Sequence, residues 1–358
     1  MLTVIAFILI LGLLVFVHEF GHFLAAKRAG MRVEEFGFGF PPRLWGVKKG
    51  ETTYSFNLIP LGGFVKIFGE DGEAKKNTHS FAAKPIGQRA TVLLAGVLMN
   101  VGLAMVLLSL GYAIGLPTAV ADDLVVSNAK VQIIEIAAGS PAEAVNLQIG
   151  DIILGAASAS SQLTNVSQVV EVQDYIDANK GQSVLLLLKR GQAQQQVKIT
   201  PRASPPPGEG AMGVALARVA EISWPWYRAI WEGVKETLGL IWLIISSIAY
   251  LIWRFFSTGQ GGGQVVGPVG IFSITGLAAQ MGFIYLLQLT ALLSVNLAIV
   301  NALPLPALDG GRILFLIIEK IKGSPVSATV EKAVHTAGFA FLILLMVVIT
   351  IKDVARLF

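Results

Sequence analysis

Cysteine is absent from the 358-residue chain, which excludes disulfide bonds and thiolate metal sites. Charge is also scarce, because only 14% of the residues are charged whereas soluble domains have about 25%. Hydrophobic residues make up 54% of the chain. The net charge is a modest +4 without a long Lys/Arg run, so we expect an anionic lipid surface as a partner and no nucleic acid. The composition therefore favours a protein embedded in a lipid bilayer.

The first apolar run, residues 2–26, is long enough to cross the core of a bilayer. A cleaved signal peptide has basic residues before its apolar run, whereas here Lys27 and Arg28 follow it. We therefore predict a span that is retained. Since basic residues concentrate on the cytoplasmic side of membrane proteins, the carboxyl end of this span is expected in the cytoplasm.

Changes of composition divide the chain into three parts: 1–117, 118–222 and 223–358. Within the first part, residues 33–68 are rich in glycine, proline, aromatic and β-branched residues, which indicates strands and turns. A second span is predicted at about 90–115. The middle part has the alternating apolar pattern of a β-rich module with short helices. The chain therefore reads as two halves of a membrane core with a module inserted between them.

Three apolar segments follow the module, at 228–256, 283–303 and about 335–352. If the module lies outside, segment 283–303 runs inward, which agrees with the basic residues that follow it. An even number of crossings must then lie between the module and residue 283. We therefore expect 228–256 to lie on the membrane surface, or to enter the membrane and return. A simple additional span is the alternative.

His18, Glu19 and His22 lie near the end of the first apolar run, in the sequence His-Glu-Phe-Gly-His. Four helical residues turn a side chain about 40° beyond a full circle, so both imidazoles share one face. This H-E-x-x-H pattern indicates two zinc ligands with the glutamate as general base. Two ordinary histidines and an acid at a helix end are the alternative. Titratable groups at membrane depth, however, are costly and usually functional.

A catalytic zinc site normally has three protein ligands and one open position. His79 and His335 are isolated in polar or flanking stretches, so neither is expected to bind the ion. Asp309 is the better candidate because it follows a proline-broken helix end at membrane depth. Gly310 and Gly311 after it permit the close backbone approach that a ligand turn needs. A helix-capping aspartate is the alternative interpretation.

Four segments together resemble the bacterial site-2 protease family, of the RseP type: HEFGHFLAAKRAG, FGFGFPPRLW, NLIPLGGFVKIFGED and SVNLAIVNALPLPALDGG. They occur in the order expected for that family and cover nearly the whole chain. Members of the family are intramembrane zinc metalloproteases with a PDZ domain. The resemblance implies one Zn²⁺ per chain, bound by His18, His22 and Asp309. It also implies that Glu19 acts as the catalytic base.

The resemblance further implies where a substrate binds. Asn301, eight residues before Asp309, would help to hold it, and Asn296 is a weaker candidate. Hydrogen bonding between helices is the alternative role for both asparagines. In the family, the 33–68 region forms a β-sheet that dips into the membrane from the cytoplasmic side. An edge strand there could pair with an extended substrate, and the residues involved would be Gly62, Gly63, Phe64 and Val65.

The segment GSPAEAVNLQIGDIIL, residues 139–154, resembles a circularly permuted bacterial PDZ domain. It departs from the family pattern at Val145 and Asn146, where Ala-Gly is usual. We expect this module to exclude substrates with bulky outer domains rather than to bind peptides. A plain spacer is the alternative.

The sequence thus predicts a polytopic α-helical membrane protein with a membrane-associated β-sheet and an extracytoplasmic PDZ-like β-rich domain. By resemblance, it would cut transmembrane segments of single-span proteins, such as anti-sigma factors and remnant signal peptides, after a first cleavage by another protease. This regulated intramembrane proteolysis would occur in the bacterial cytoplasmic (inner) membrane, with the active site toward the cytoplasm. Two other classes fit less well: an adaptor with a structural zinc needs a fourth ligand, and a transporter would show an inverted repeat.

Overall fold

The structure is a computed structural model that describes residues 1–70, 72, 76–124, 126, 128–158, 162–191, 193–258 and 266–355. Within these limits the chain forms two compact units. The first comprises 1–110, 230–276 and 287 onward, and the second comprises 111–229 and 277–286. The predicted metal ligands belong to the first unit, and the predicted β-rich module falls within the second.

The described residues form helices and strands in the following order along the chain. The helices are α1 (Leu2–Arg28), α2 (Ile86–Ile114), α3 (Pro141–Ala144), α4 (Val169–Ala178), α5 (Trp226–Thr258), α6 (Pro268–Met281), α7 (Phe283–Ala302), α8 (Asp309–Lys322) and α9 (Ala328–Ala355). The strands are β1 (Val33–Lys49), β2 (Thr52–Ile67), β3 (Leu116–Ala119), β4 (Lys130–Ile136), β5 (Ile152–Ala157), β6 (Gln162–Thr164), β7 (Val184–Arg190), β8 (Ala193–Ile199) and β9 (Val214–Ile222).

Five of the described helices are long and apolar enough to cross a membrane, judged by length and composition: α1, α2, α5, α7 and α9. They agree with the predicted polytopic membrane protein. The last of them begins at Ala328 rather than near residue 335, because the helix continues beyond its apolar stretch. Segment 228–256 lies within one continuous helix of 33 residues. Its surface-lying or re-entrant position stays a prediction.

The sheet of the first unit is formed by β1 and β2, which are long and bent. Residues 33–38 of β1 lie between two arms of β2, with residues 53–56 on one side and 63–67 on the other. Residues 43–49, the second part of β1, pair with the other side of the arm that contains residues 53–56. Residues 63–67, hereafter the edge arm, therefore form one edge of the sheet. The predicted strand region at 33–68 thus becomes a bent hairpin in which the edge arm pairs with β1 on one side.

Aromatic contacts attach this sheet to α1. The Phe16 ring lies 5.6 Å from the Phe36 ring and 6.1 Å from the Phe38 ring, measured between centroids, in edge-to-face arrangements. Phe23, two turns farther along α1, contacts Phe36 at 4.9 Å. Such pairs combine a large buried area with a preferred geometry. The contacts fix the sheet against the part of α1 that carries His18.

The second unit is built on a seven-stranded sheet with the order β3-β9-β4-β5-β7-β8, and β6 pairs with β5. Its core is aliphatic, with buried residues that include Val131, Ile133, Ile153, Leu186 and Leu188. All the strand pairs are antiparallel. Strands β3 and β9 are neighbours although nearly the whole module separates them in sequence. The chain therefore enters and leaves the module side by side.

The segment that resembles a PDZ domain forms α3 and the turn leading into β5. Ser140 caps α3 by accepting a hydrogen bond from the Glu143 backbone N–H at 3.2 Å. Asn146 has φ = 55°, a left-handed conformation that asparagine tolerates better than most residues other than glycine. Val145-Asn146, in place of the usual Ala-Gly, is therefore compatible with the same turn conformation. Buried Asp151 pairs with Arg190 at 2.6 Å, and this hydrogen bonding raises the pKa of the Arg190 guanidinium.

Candidate metal centre

The helix α1 brings His18 and His22 together, as the four-residue spacing predicts. Both imidazoles are buried, with 7% and 5% of each residue exposed, and their Nε2 atoms lie 3.2 Å apart. His22 Nδ1 lies 2.8 Å from the carbonyl oxygen of Val92. A carbonyl only accepts hydrogen bonds, so Nδ1 carries the proton of a neutral imidazole. The Nε2 atom then presents its lone pair to the site.

Asp309, the first residue of α8, completes the cluster. Its Oδ2 atom lies 3.1 Å from His18 Nε2 and 3.2 Å from His22 Nε2. Ligands bound to tetrahedral zinc at about 2.0–2.1 Å are separated from one another by roughly 3.3 Å, so the three atoms fit one ion. Asp309 Oδ2 is buried and has no hydrogen-bond partner among the described residues. Three converging acceptor atoms of this kind are the chemistry of a cation site.

The turn before Asp309 explains why glycines follow it. A Cβ at Gly310 would overlap the carbonyl oxygens of Leu303 and Ala302, and one at Gly311 would overlap that of Leu305. The backbone of the ligand turn therefore packs directly against the end of α7. The close approach predicted for Gly310 and Gly311 is present.

His335 takes a supporting role that the sequence reading missed. Its Nδ1 accepts a hydrogen bond from the backbone N–H of Ala307 at 2.9 Å, two residues before the metal ligand. Ala307 has φ = 73°, a costly left-handed conformation for a residue with a Cβ. Among the described residues, the ligand atoms that converge are those of His18, His22 and Asp309. His335 instead ties α9 to the ligand turn.

Two ion pairs hold α8 in place. Arg89 of α2 binds Glu319 through two hydrogen bonds, of 3.0 and 2.5 Å, near the end of α8. Arg312, one turn after Asp309, pairs with Glu70 beyond the end of β2. Bidentate Arg–carboxylate pairs restrict orientation more strongly than single contacts do. The carboxylate ligand thus sits on a helix anchored near both of its ends.

Glu19 lies between the ligands and the sheet. Its Oε2 accepts a hydrogen bond from the backbone N–H of Val65, in the edge arm, at 3.0 Å. Gly63 is also close, since a Cβ built on it would lie 4.0 Å from Glu19 Cγ and 2.8 Å from the carbonyl oxygen of Gly37. The structure therefore places the predicted base directly beside the predicted substrate-pairing edge.

The other predicted substrate residues differ in position. Asn301 Nδ2 lies 3.5 Å from His18 Nε2, so this side chain reaches the ligand cluster. Asn296 instead donates to the Leu292 carbonyl in its own helix at 3.1 Å, and no described contact links it to the ligands. Gly62 has φ = 108° and packs against Val15 of α1, which places it at the bend that leads into the edge arm.

Comparison with known proteins decides the family. The sequence model of the family described as Peptidase family M50 matches residues 6–345. This range includes Glu19 and the three candidate metal ligands. The chain belongs to peptidase family M50. This membership confirms the predicted enzyme class, a protease, and the resemblance to site-2 proteases.

Curated relatives of this M50 peptidase match over their full lengths. Zinc metalloprotease RasP of Oceanobacillus iheyensis is 31% identical, with 100% of both chains covered. Zinc metalloprotease RasP of Geobacillus kaustophilus is 32% identical over 99% of this chain and 98% of the relative. Regulator of sigma-W protease RasP of Bacillus subtilis is 32% identical, with 99% of both covered. The names of the first two agree with the predicted zinc cofactor and with the site geometry.

Sequence reasoning about this M50 peptidase missed the contribution of α2. Gly96 faces both imidazoles, since a Cβ there would overlap His22 Nε2 and lie 2.7 Å from His18 Cε1. Asn100 is fully buried, and its Nδ2 lies 3.4 Å from His18 Nδ1. The available signal was a single asparagine in the middle of a predominantly apolar predicted span. Without the third dimension, nothing connects it with residue 18.

Proposed function

We propose that this M50 peptidase is an intramembrane zinc protease that cuts transmembrane segments of single-span membrane proteins. The observation that carries the proposal is that side chains of α1 and α8 and the edge arm of β2 lie close together. The Nε2 atoms of His18 and His22 and Oδ2 of Asp309 lie within 3.2 Å of one another, and Glu19 beside them contacts a sheet edge. A metal adaptor would have no use for a base in that position.

His18, His22 and Asp309 would hold the zinc ion and leave one position open. When bound, zinc supplies Lewis acidity, which makes an attacking water acidic near neutral pH and polarises the scissile carbonyl. Glu19 takes the proton from the attacking water and returns it to the leaving amine. The hydrogen bond from the Val65 N–H holds the carboxylate of Glu19 in one orientation between these two transfers.

The edge arm gives the substrate a partner for its backbone. A transmembrane helix satisfies its own N–H and C=O groups, so a substrate that is unwound for cleavage needs new hydrogen-bond partners. Pairing with residues 63–67 supplies them by strand addition. Because Val65 contacts Glu19, an added strand runs past the catalytic base. Asn301, whose Nδ2 lies 3.5 Å from His18 Nε2, would hold a substrate polar group there.

Anti-sigma factors are the substrate class that we favour, together with remnant signal peptides. One relative is named Regulator of sigma-W protease, and it is 32% identical over nearly its full length. Such a substrate would be shortened first by another protease. The setting would be the bacterial cytoplasmic membrane, with the site toward the cytoplasm and the second unit outside.

The second unit, a PDZ-like module in this proposal, acts as a size filter. Peptide-binding modules of this kind add a peptide strand to a sheet edge. Here the edge of β9 already pairs with β3, from Leu116 opposite Ile222 to Ala119 opposite Val219. The segment after β3 is also held, since buried Arg218 donates to the carbonyls of Ala121 and Leu124. Much of the edge is thus taken by the chain itself, which favours exclusion over peptide capture.

The test of the proposed function is Glu19→Gln in the full chain, purified in detergent and mixed with a single-span model substrate. The variant should keep its zinc, measured by metal analysis, and lose cleavage by about 100-fold or more, since general acid–base catalysis contributes at least that much. Removal of zinc with a chelator should stop cleavage by the unmodified protein, and added zinc should restore it.

Glu221→Gln is the matched control, because the Glu221 side chain is 70% exposed and belongs to the second unit. This variant should cleave as the unmodified protein does. Unchanged cleavage by Glu19→Gln would reject the assigned base. A protein that binds no zinc would reject the metal site itself.

A further inference from the structure

Asn100 is a buried polar side chain that the mechanism above does not use. It lies in α2, one of the five apolar helices, and is 0% exposed. A buried amide in such a setting is costly unless it is hydrogen-bonded. Yet its Oδ1 atom has no hydrogen-bond partner among the described residues. Its backbone carbonyl is satisfied, because it accepts from the Ser294 hydroxyl of α7 at 2.8 Å.

The amide of Asn100 faces the outer nitrogen of a metal ligand. Its Nδ2 lies 3.4 Å from His18 Nδ1, while the Nε2 of the same ring points to Asp309. If Nε2 binds a metal, a neutral imidazole carries its proton on Nδ1 and needs an acceptor there. Half a turn of the amide about its last bond places Oδ1 at the position that faces Nδ1. That orientation gives the orphaned oxygen a donor.

The neighbouring ligand provides a parallel. His22 Nδ1 has its acceptor, the Val92 carbonyl, on the same helix α2. Val92, Gly96 and Asn100 follow one another at intervals of four residues and so share one face of α2. Gly96, between them, leaves room for both rings. One helix face therefore serves both imidazoles, with a backbone oxygen for His22 and a side-chain oxygen for His18.

We propose that Asn100 is a positioning residue: its side-chain oxygen accepts the Nδ1 proton of His18 and so presents Nε2 to the metal. The inference rests on the proposed zinc site. Groups that bind the outer nitrogen of a histidine ligand fix its tautomer and orientation, and their loss typically weakens metal binding by about 10–100-fold.

The experiment measures the zinc dissociation constant of the full chain in detergent by competition with a chelating dye. Asn100→Leu keeps a similar volume and removes the acceptor, so zinc binding should weaken by about 10–100-fold. Asn100→Asp restores an acceptor oxygen and should bind zinc within about threefold of the unmodified protein, a loss clearly smaller than the 10–100-fold expected for Asn100→Leu. With Co²⁺ in place of zinc, Asn100→Asp should also shift the visible absorption bands, because a carboxylate makes His18 a stronger donor.

Thr275→Val is the control for the loss of a buried polar group from an apolar helix. Thr275 is 0% exposed, and its hydroxyl donates to the Ile271 carbonyl of its own helix at 2.8 Å. The zinc affinity of the Thr275→Val variant should equal that of the unmodified protein. Thermal unfolding without metal shows whether each variant is folded, and the cobalt spectrum of Asn100→Asp tests the contact even where Asn100→Leu does not fold.

Each result separates the inference from the proposed function. If the unmodified protein bound no zinc, the proposed metal site would fall, and the inference with it. If it bound zinc and Asn100→Leu bound equally well, the role of Asn100 alone would be overturned. The same holds if Asn100→Asp bound as weakly as Asn100→Leu, or if its cobalt bands did not move.

Discussion

At the scale of single residues, the metal centre depends on the absence of a side chain as much as on its ligands. Gly96 sits opposite both imidazoles, and Gly21 of α1 packs so closely on α2 that a Cβ would lie 2.5 Å from the Ala95 carbonyl oxygen. Small residues at such crossings let apolar helices approach each other closely. The two glycines thereby bring α2 near enough for the Val92 carbonyl to contact His22 and for the Asn100 side chain to face His18.

Gly96→Ala should therefore damage the site. The added methyl group would overlap His22 Nε2 and lie 2.7 Å from Cε1 of both imidazoles, so both rings would have to move. We expect zinc content to fall and cleavage to drop by about tenfold or more, equivalent to at least about 1.4 kcal/mol. Metal analysis and the cleavage assay measure both effects.

Gly102→Ala in the same helix is its matched control, because nothing lies within 4 Å of a Cβ at that position. Alanine favours helix over glycine by about 1 kcal/mol, so this variant should keep its zinc and be no less stable. Equal zinc content in the two alanine variants would show that Gly96 is not needed for ligand spacing.

At the scale of secondary-structure elements, local patterns predicted much of the molecule. The first apolar run, 2–26, became Leu2–Arg28, and the predicted segment 283–303 became Phe283–Ala302. The region 33–68, predicted to form strands and turns, became β1 and β2 with a turn at Gly50, where φ = 64°. What local patterns could not provide is pairing between distant segments. The contact of Glu19 with Val65 joins residues 46 apart, and that of Asn100 with His18 joins residues 82 apart.

The edge arm gives a prediction at this scale. Val65→Pro removes the backbone N–H that donates a hydrogen bond to the Glu19 carboxylate. Proline is tolerated on edge strands where the N–H is not part of the ladder. Zinc content should stay the same while cleavage falls by about tenfold or more, because Glu19 loses the hydrogen bond that orients it. The measurements are metal analysis and the rate of substrate cleavage.

Val65→Ala separates the backbone from the side chain, since it shortens the residue and keeps the N–H. Its loss of cleavage should be clearly smaller than that of Val65→Pro. Equal losses in the two variants would mean that the Val65 side chain, not its N–H, is what the reaction uses.

At the scale of the whole molecule, the second unit is predicted to control which substrates are cut. A single-span substrate with a folded outer domain should be cleaved at least about tenfold more slowly than one with a short outer segment. An unfolded outer segment of the same length serves as the control for chain length. Replacing residues 120–218 with a short turn should remove the difference, because the remaining strands β3 and β9 are already paired. If the unmodified protein cleaved the substrate with the folded outer domain as fast as the substrate with the short outer segment, the second unit would not act as a size filter.

The pairing of Leu116 with Ile222 has a consequence for how such proteins change over evolutionary time. Since both ends of the inserted module emerge at neighbouring positions, its loss, duplication or exchange would need little change in the connection between α2 and α5. Insertions whose ends are close are the ones that host proteins tolerate best. The catalytic half of this chain could therefore keep its architecture while its outer part diversifies from one lineage to another.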